Sequence, residues 1–260
     1  YSEIDMIGST LSILHGQHTD LLNEKDIQES IEKGVTFNTS SFLYRKNGSS
    51  FWSEVSHLAM RNQKEELQYC VITLRDVTDS INVEALIKLE RDVYFSLENG
   101  VTFESVMRNI CNTVGTAFWK ECHCSILLRG NYESKLKVYG ELSKDLKKLE
   151  DSALLLGIGM GDMGRLHKTV IIEDLAQSEY YESYSNLIKK YRIVSLWGQP
   201  ILNMEGKVIG IFTMYFKQHI EPKDIDLKFL NRIAPIATLA VKYFDQKKAI
   251  RRLAYQDVAS

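Results

Sequence analysis

Three stretches of this chain carry residue types whose spacing could do chemistry. Gly157, Gly159, Gly161 and Gly164 form a glycine-rich run of the kind that lets backbone amides cradle a phosphate. A dinucleotide loop also needs a strand before it, a helix after it and an acidic residue about 20 positions on. Lys144–Leu156 ahead of the run reads as helical, little follows it, and no Gly-Lys-Ser/Thr occurs. Nucleotide binding at this run is therefore disfavoured. Cys122-His123-Cys124 sets two thiols on one face of a strand, but metal sites take three or four ligands and no second Cys/His pair exists to complete one. Tyr180, Tyr184, Leu187, Ile188 and Tyr191 recur at helical spacing. They suit an aromatic box for a planar ring, and suit plain amphipathic packing better. No Ser/His/Asp or Cys/His triad and no paired carboxylates follow from spacing. The reading therefore assigns no catalytic residue, no metal, and no enzymatic activity to this chain.

Bulk properties narrow the field further. At 260 residues the chain is long enough for two domains, and 44% hydrophobic with 25% charged residues is ordinary globular composition. A net charge of −2 supplies no field for a polyanion, so no nucleic acid is expected. Lys247, Lys248, Arg251 and Arg252 read as a solvated helix face. Cys70, Cys111, Cys122 and Cys124 do not make a disulfide framework. No apolar run approaches the ~20 residues that cross a bilayer, and there is no signal peptide. These features lead to an expected cytoplasmic location without membrane contact. The chain begins in mid-pattern and stops in a helical pattern, which is expected of a piece cut from a longer protein.

The elements that position these residues fall into two groups around one central strand pair. In Ser195–Phe216 two β-rich runs flank Asn203-Met204-Glu205-Gly206, a hairpin signature in which Gly206 supplies a positive φ. Within Lys207–Phe216 both alternating sets are largely apolar, which predicts a strand covered on both faces. Pro200 is expected at a strand end or bulge. Earlier, Asp20–Gly34 has helical character and Thr36–Tyr44, Phe51–Met60 and Leu67–Val77 read as strands. Asn47-Gly48 makes a hairpin turn in which both residues tolerate positive φ. Between the groups, Leu86, Leu89, Val93 and Leu97 follow a 3,4,4 spacing with charges elsewhere. That is a helix with a narrow apolar seam, suited to pairing with a copy of itself; the alternative is packing on the chain's own second sheet. Thr102–Trp119 is a further helix, with Phe103, Val106, Ile110 and Val114 on one stripe. Asp224–Asp257 is one long helix with room for a kink at Pro235.

Trp197-Gly-Gln-Pro-Ile201 with Gly206-Lys-Val-Ile-Gly-Ile-Phe-Thr-Met-Tyr215, preceded by Thr169-Val-Ile-Ile-Glu-Asp174 and Cys124-Ser-Ile-Leu-Leu128, resembles the strand set of GAF domains. The likeness runs from about Phe103 to Phe244 and implies an antiparallel sheet flanked by helices. By that resemblance Asp174, Tyr184, Trp197 and Phe212 are the candidate ligand-binding residues. A covalent bilin is not implied, since no cysteine lies around Tyr180–Tyr191.

Tyr44-Arg-Lys-Asn-Gly48 with Phe51-Trp52, then Asp76-Val-Thr78, resembles the C-terminal half of a PAS domain, and Tyr1–Gly8 its preceding segment. The PAS opening strands are absent from this chain. Flavin-binding members carry an adduct-forming cysteine where this chain has Leu11, and ring-holding amides where it has Leu43, Ser53 and Leu74, which disfavours flavin. His15 and His18 do not fall where haem-binding members place the axial ligand, which disfavours haem. The cofactor is left unknown, and an empty apolar pocket is the expectation for this half. Leu253-Ala-Tyr-Gln-Asp257 resembles the opening of a GGDEF domain.

Together these readings predict an α+β chain: a partial PAS sheet over residues 1–80, a signalling helix over 81–98, a GAF domain over 99–246, and a helix over 247–260 leading to a GGDEF-type output domain. The expected role is a sensory, dimerising region of a bacterial cyclic-di-GMP protein of GGDEF/EAL type. Its partners would be a second copy, through Leu86, Leu89, Val93 and Leu97, and an unidentified small molecule. A ligand-free scaffold is the alternative.

Overall fold

A computed structural model describes residues 1–16, 19, 26, 29–30, 32–33, 35, 37–117, 122–129, 136–140, 168–178, 181–203, 205–222 and 224–258. The chain divides into two compact units, Tyr1–Glu84 and Ala85–Ser260. Each is α+β with antiparallel pairing, as the patterns predict.

In the first unit, a short helix α1 (Glu3–Met6) is capped by Ser2, whose hydroxyl accepts from the Asp5 amide while the Asp5 carboxylate accepts from the Ser2 amide. Strands β1 (Phe37–Tyr44), β2 (Ser50–Arg61) and β3 (Leu67–Asp76) form one meander in that order. Tyr44 pairs with Ser50, so five residues close the first hairpin. Only Gly48 takes a positive φ, at 81°; Asn47 instead accepts hydrogen bonds from the amide and hydroxyl of Ser49 at 3.0 and 2.7 Å. The turn dipeptide thus works through one backbone and one side chain. Leu14, Leu43 and Val55 make the small core of this unit. Within 20–34 the described residues 26, 29, 30, 32 and 33 are helical.

Helix α2 (Thr78–Glu98) begins at a tight lock. Asp76 accepts from the Thr78 amide at 3.0 Å and hydroxyl at 2.6 Å, while that hydroxyl accepts from the Trp52 amide at 2.9 Å. Arg45 pairs with the other Asp76 oxygen. Burial works against ionisation of Asp76, but the Thr78 bonds and the Arg45 charge outweigh it and hold the carboxyl below its ordinary range. The helix start is therefore fastened to the middle strand of its own sheet.

Further along, the seam reading needs correcting. Leu86, Leu89, Val93 and Leu97 are 3%, 0%, 0% and 3% exposed, and they join one core cluster with Val106, Ile110 and Val114. A side chain already removed from water by its own chain has no apolar area left to bury against a copy. The exposed apolar residues of α2 lie elsewhere: Ile87, Tyr94 and Phe95 are more than half exposed.

The second unit continues with α3 (Phe103–Ala117), β4 (Cys122–Arg129), β5 (Leu136–Gly140), β6 (Val170–Ile172), α4 (Tyr181–Tyr191), β7 (Ser195–Leu202), β8 (Val208–Phe216) and α5 (Asp224–Val258). Thr102 caps α3, its hydroxyl accepting from the Ser105 amide at 3.3 Å. The sheet order is β5-β4-β8-β7-β6, all antiparallel, so β8 is central as its two apolar faces predict. Gly206 turns the β7–β8 hairpin at φ 78°, and Asn203 accepts the amides of Glu205 and Lys207 beneath it. Pro200 lies within β7 where β6 no longer pairs, one residue before a register shift at Ile201/Leu202. Helix α5 runs unbroken past Pro235. The expected helix Lys144–Leu156 and the glycine run Gly157–Gly164 lie outside the described residues.

Candidate functional site

Strand alternation gives the second sheet two different faces, and the ladder register says which residue looks where. Cys122, Cys124 and Ile126 on β4 stand beside Phe216, Met214 and Phe212 on β8, and beside Ser195, Trp197 and Gln199 on β7. This face packs against α3 and α5: Val106, Ile110, Leu230, Ile233 and Ala237 are all 0–1% exposed and belong to the same cluster as Trp197 and Phe212. Trp197 is 0% exposed, its ring 4.5 Å from that of Phe216, and Phe212 is likewise 0% exposed.

Two of the four candidate ligand residues are thereby reassigned. Trp197 and Phe212 are brought together, but inside the helix-covered core, where a ligand would first have to displace α3 or α5. Asp174 is half-buried and has a local task. It caps the 3₁₀ turn Leu175–Gln177, accepting from the Ala176 amide and the Gln177 side chain, each at 2.9 Å. Tyr184 lies on α4, and its side chain is outside the described residues. The Cys122 and Cys124 sulfurs lie 3.4 Å apart on the helix-covered face, where both residues are buried. They pack as small hydrophobes, as the family likeness of Cys124 implied.

The opposite face carries the polar chemistry. His123 and Ser125 on β4 alternate with the core set and stand across from Tyr215 and Thr213 on β8. The hydroxyls of Ser125 and Tyr215 are hydrogen-bonded at 3.1 Å, and both residues are buried, at 2% and 3% exposure. Thr213, also buried, adds a second hydroxyl beside the phenol. Burial pushes the Tyr215 phenol up to about 12, and the Ser125 and Thr213 hydrogen bonds offset only part of it. Tyr215 is therefore a neutral donor–acceptor at any physiological pH. At the end of this row the His123 ring meets Tyr191 of α4 edge-on, 5.5 Å between centroids. Three hydroxyls, an imidazole and a second phenol on one face can orient a small polar molecule by hydrogen bonds.

None of Ser125, Thr213, Tyr215 or His123 was among the candidate ligand residues, and Tyr191 entered only as a member of the helical aromatic set. The signal was present in the alternation of Lys207–Phe216. Thr213 and Tyr215 are the polar members of the set opposite Phe212 and Met214, so the set holding hydroxyls was the one to follow.

Comparison with known proteins assigns both units to known domain families. A family model for the GAF domain matches residues 100–242, and one for the PAS domain matches residues 1–79. A methyl sulfide methyltransferase-associated sensor of Methanosarcina acetivorans is 24% identical over 250 residues, covering 90% of this chain and 24% of the archaeal protein. A blue-light photoreceptor of Listeria innocua is 29% identical over 111 residues, 43% of each chain. Among solved structures, the GAF domain of an Acinetobacter phosphoenolpyruvate-protein phosphotransferase superposes with TM-score 0.46 at 17% identity, covering 62% of this chain and 92% of that one. The chain spans about a quarter of the archaeal sensor and less than half of the photoreceptor. With more than half of its residues matched by one model, the chain belongs to the GAF domain family and carries a PAS domain ahead of its GAF domain.

Proposed function

We propose that this chain is a sensory relay: a small molecule held at its PAS or GAF domain biases α2, and α2 passes the bias on to an output domain. The observation that carries this reading is the two-ended anchoring of α2. One end is hydrogen-bonded to β3 through Asp76 and Thr78 and to β2 through Thr78 and Trp52, and the other is buried in the GAF core through Leu86, Leu89, Val93 and Leu97. A helix fastened at both ends has few ways to absorb a displacement, so it moves as one piece. Replacing Thr78 by Val removes the hydroxyl that joins Asp76 to Trp52. Amide exchange over Leu86–Leu97 is then expected to quicken about tenfold, as for the loss of ~1.4 kcal/mol of local stability. Quickening confined to the first helical turn would remove the relay.

The partner in this reading is a second copy of the chain, seated on the exposed Ile87, Tyr94 and Phe95 rather than on the seam. The output favoured by Leu253-Ala-Tyr-Gln-Asp257 at the far end of α5 is a GGDEF/EAL-type region that makes or degrades cyclic-di-GMP. Assay of a longer natural chain with GTP and with cyclic-di-GMP decides this. Turnover of neither substrate leaves the sensory region with a different output. A ligand-free scaffold is the competing class, and a bound small molecule in the purified protein counts against it.

A further inference from the structure

An asparagine ahead of a glycine sets a side-chain amide carbon next to a backbone nitrogen that no Cβ on its own residue shields. The pair occurs twice in this chain, as Asn47-Gly48 and Asn99-Gly100. The fold treats the two carboxamides differently. The Oδ1 of Asn47 accepts from the Ser49 amide at 3.0 Å and from the Ser49 hydroxyl at 2.7 Å. The Asn99 side chain instead donates through Nδ2 to the Phe95 carbonyl at 2.8 Å, and its Oδ1 has no donor among the described residues. Asn62 and Asn203 also hold paired amide donors on Oδ1, from Lys64 and Glu66 and from Glu205 and Lys207. Their next residues are Gln63 and Met204, whose side chains shield the attacking nitrogen. Among the described residues, Asn47 alone joins an unshielded nitrogen to a doubly bonded Oδ1.

We propose that Asn47-Gly48 is a self-modifying site, at which the chain deamidates its own asparagine with the Ser49 donors as an oxyanion hole. The Gly48 nitrogen gives up its proton and bonds to Asn47 Cγ, pushing the Cγ–Oδ1 electrons onto oxygen. That oxyanion forms where an N–H and an O–H already point, and its charge strengthens both bonds. Collapse breaks the Cγ–Nδ2 bond, and ammonia leaves with the Gly48 proton. Water then opens the cyclic imide: attack at Cγ gives aspartate, and attack at the main-chain carbonyl gives isoaspartate. Water is consumed and ammonia released, with no oxidant, reductant or cofactor. The Gly48 amide first has to release the Arg45 carbonyl, 2.9 Å away. Lys46, Asn47 and Gly48 are exposed at the hairpin tip, where local opening costs least. Aspartate can still accept both Ser49 bonds, and it adds a negative charge next to Lys46. Isoaspartate reroutes the main chain between Arg45 and Ser49, whose amide and carbonyl close the turn at 2.7 Å. Arg45 also pairs with Asp76 at the start of α2, so this product reaches the helix lock. The inference goes beyond the sensory reading and stands without it.

The test holds the folded full chain in mildly alkaline buffer, then maps its peptides by mass spectrometry with aspartate and isoaspartate forms separated. Conversion at Asn47 is expected to outrun that at Asn99 about tenfold, the worth of one well-placed hydrogen bond. Ser49→Ala removes the hydroxyl donor and should slow Asn47 by about the same factor while leaving Asn99 unchanged. Ser49→Thr keeps the hydroxyl and should retain the parent rate. In urea, where the turn is lost, the two dipeptides should convert at similar rates. Equal rates in the folded chain overturn the proposal, as do conversion at Asn99 alone, no conversion at either site, or a parent rate in Ser49→Ala. A preference for Asn47 that survives urea unchanged overturns it as well, because it then comes from the local sequence and not from the folded turn.

Discussion

Leu89→Ala is expected to lower the stability of this chain by about 2–5 kcal/mol and to leave its self-association unchanged. Leu89 is fully buried within a cluster that includes Val106, Ile110 and Leu230, so truncation opens a cavity between helices that cannot close without moving the sheet beneath them. Urea unfolding of the second unit reads the first quantity and sedimentation the second. Phe95→Glu is the counterpart: Phe95 is 66% exposed, so the folded monomer loses little, and any dimer seated on that face is weakened. If Leu89→Ala dissociates a dimer without destabilising the fold, the seam belongs to an intermolecular interface and the core assignment fails.

Gly210→Ala is expected to cost about 3 kcal/mol or more, an effect larger than removal of most surface side chains. A Cβ at this position would lie 2.3 Å from the Leu127 carbonyl oxygen and 2.4 Å from a Leu128 methyl. The first of these is backbone within the β4–β8 ladder, where Leu128 pairs with Gly210 itself. Relief requires the two strands to separate, and their register is what sets Ser125 beside Tyr215. The control is Gly206→Ala: nothing lies within 4 Å of its Cβ, and only the positive φ of 78° opposes it, for about 1 kcal/mol. Thermal unfolding of both variants checks the ranking. Near-equal losses would mean that Gly210 is not in close contact with β4.

Much of the second unit was legible because its signals are local. Lys207–Phe216 is largely apolar at both alternating sets, which places the strand at the centre of its sheet; the turn at Asn203–Gly206 follows from Gly206 and the short polar link. The stripe Phe103, Val106, Ile110 and Val114 likewise marks a helix with one buried side. In the first unit, three β-rich runs with short polar links left few arrangements besides a meander.

What the sequence determined by itself, then, was which segments form strands and helices, and from the family motifs, that the chain joins a PAS sheet to a GAF sheet. Only the tertiary structure decided which face of each element meets which neighbour. A 3,4,4 apolar spacing is equally satisfied by a copy of the helix or by the chain's own core, and burial of Leu86–Leu97 beside α3 chose the core. Trp197 and Phe212 are apolar aromatics that suit a ligand pocket or a helix interface alike, and the β7–β8 register turned both toward α3 and α5. His57 reads as an ordinary strand histidine until its rung places it between Phe37 and Ile72 with no partner for either nitrogen. Periodicity encodes that a face is buried. What buries it depends on contacts between residues far apart in the chain, and those are set by packing.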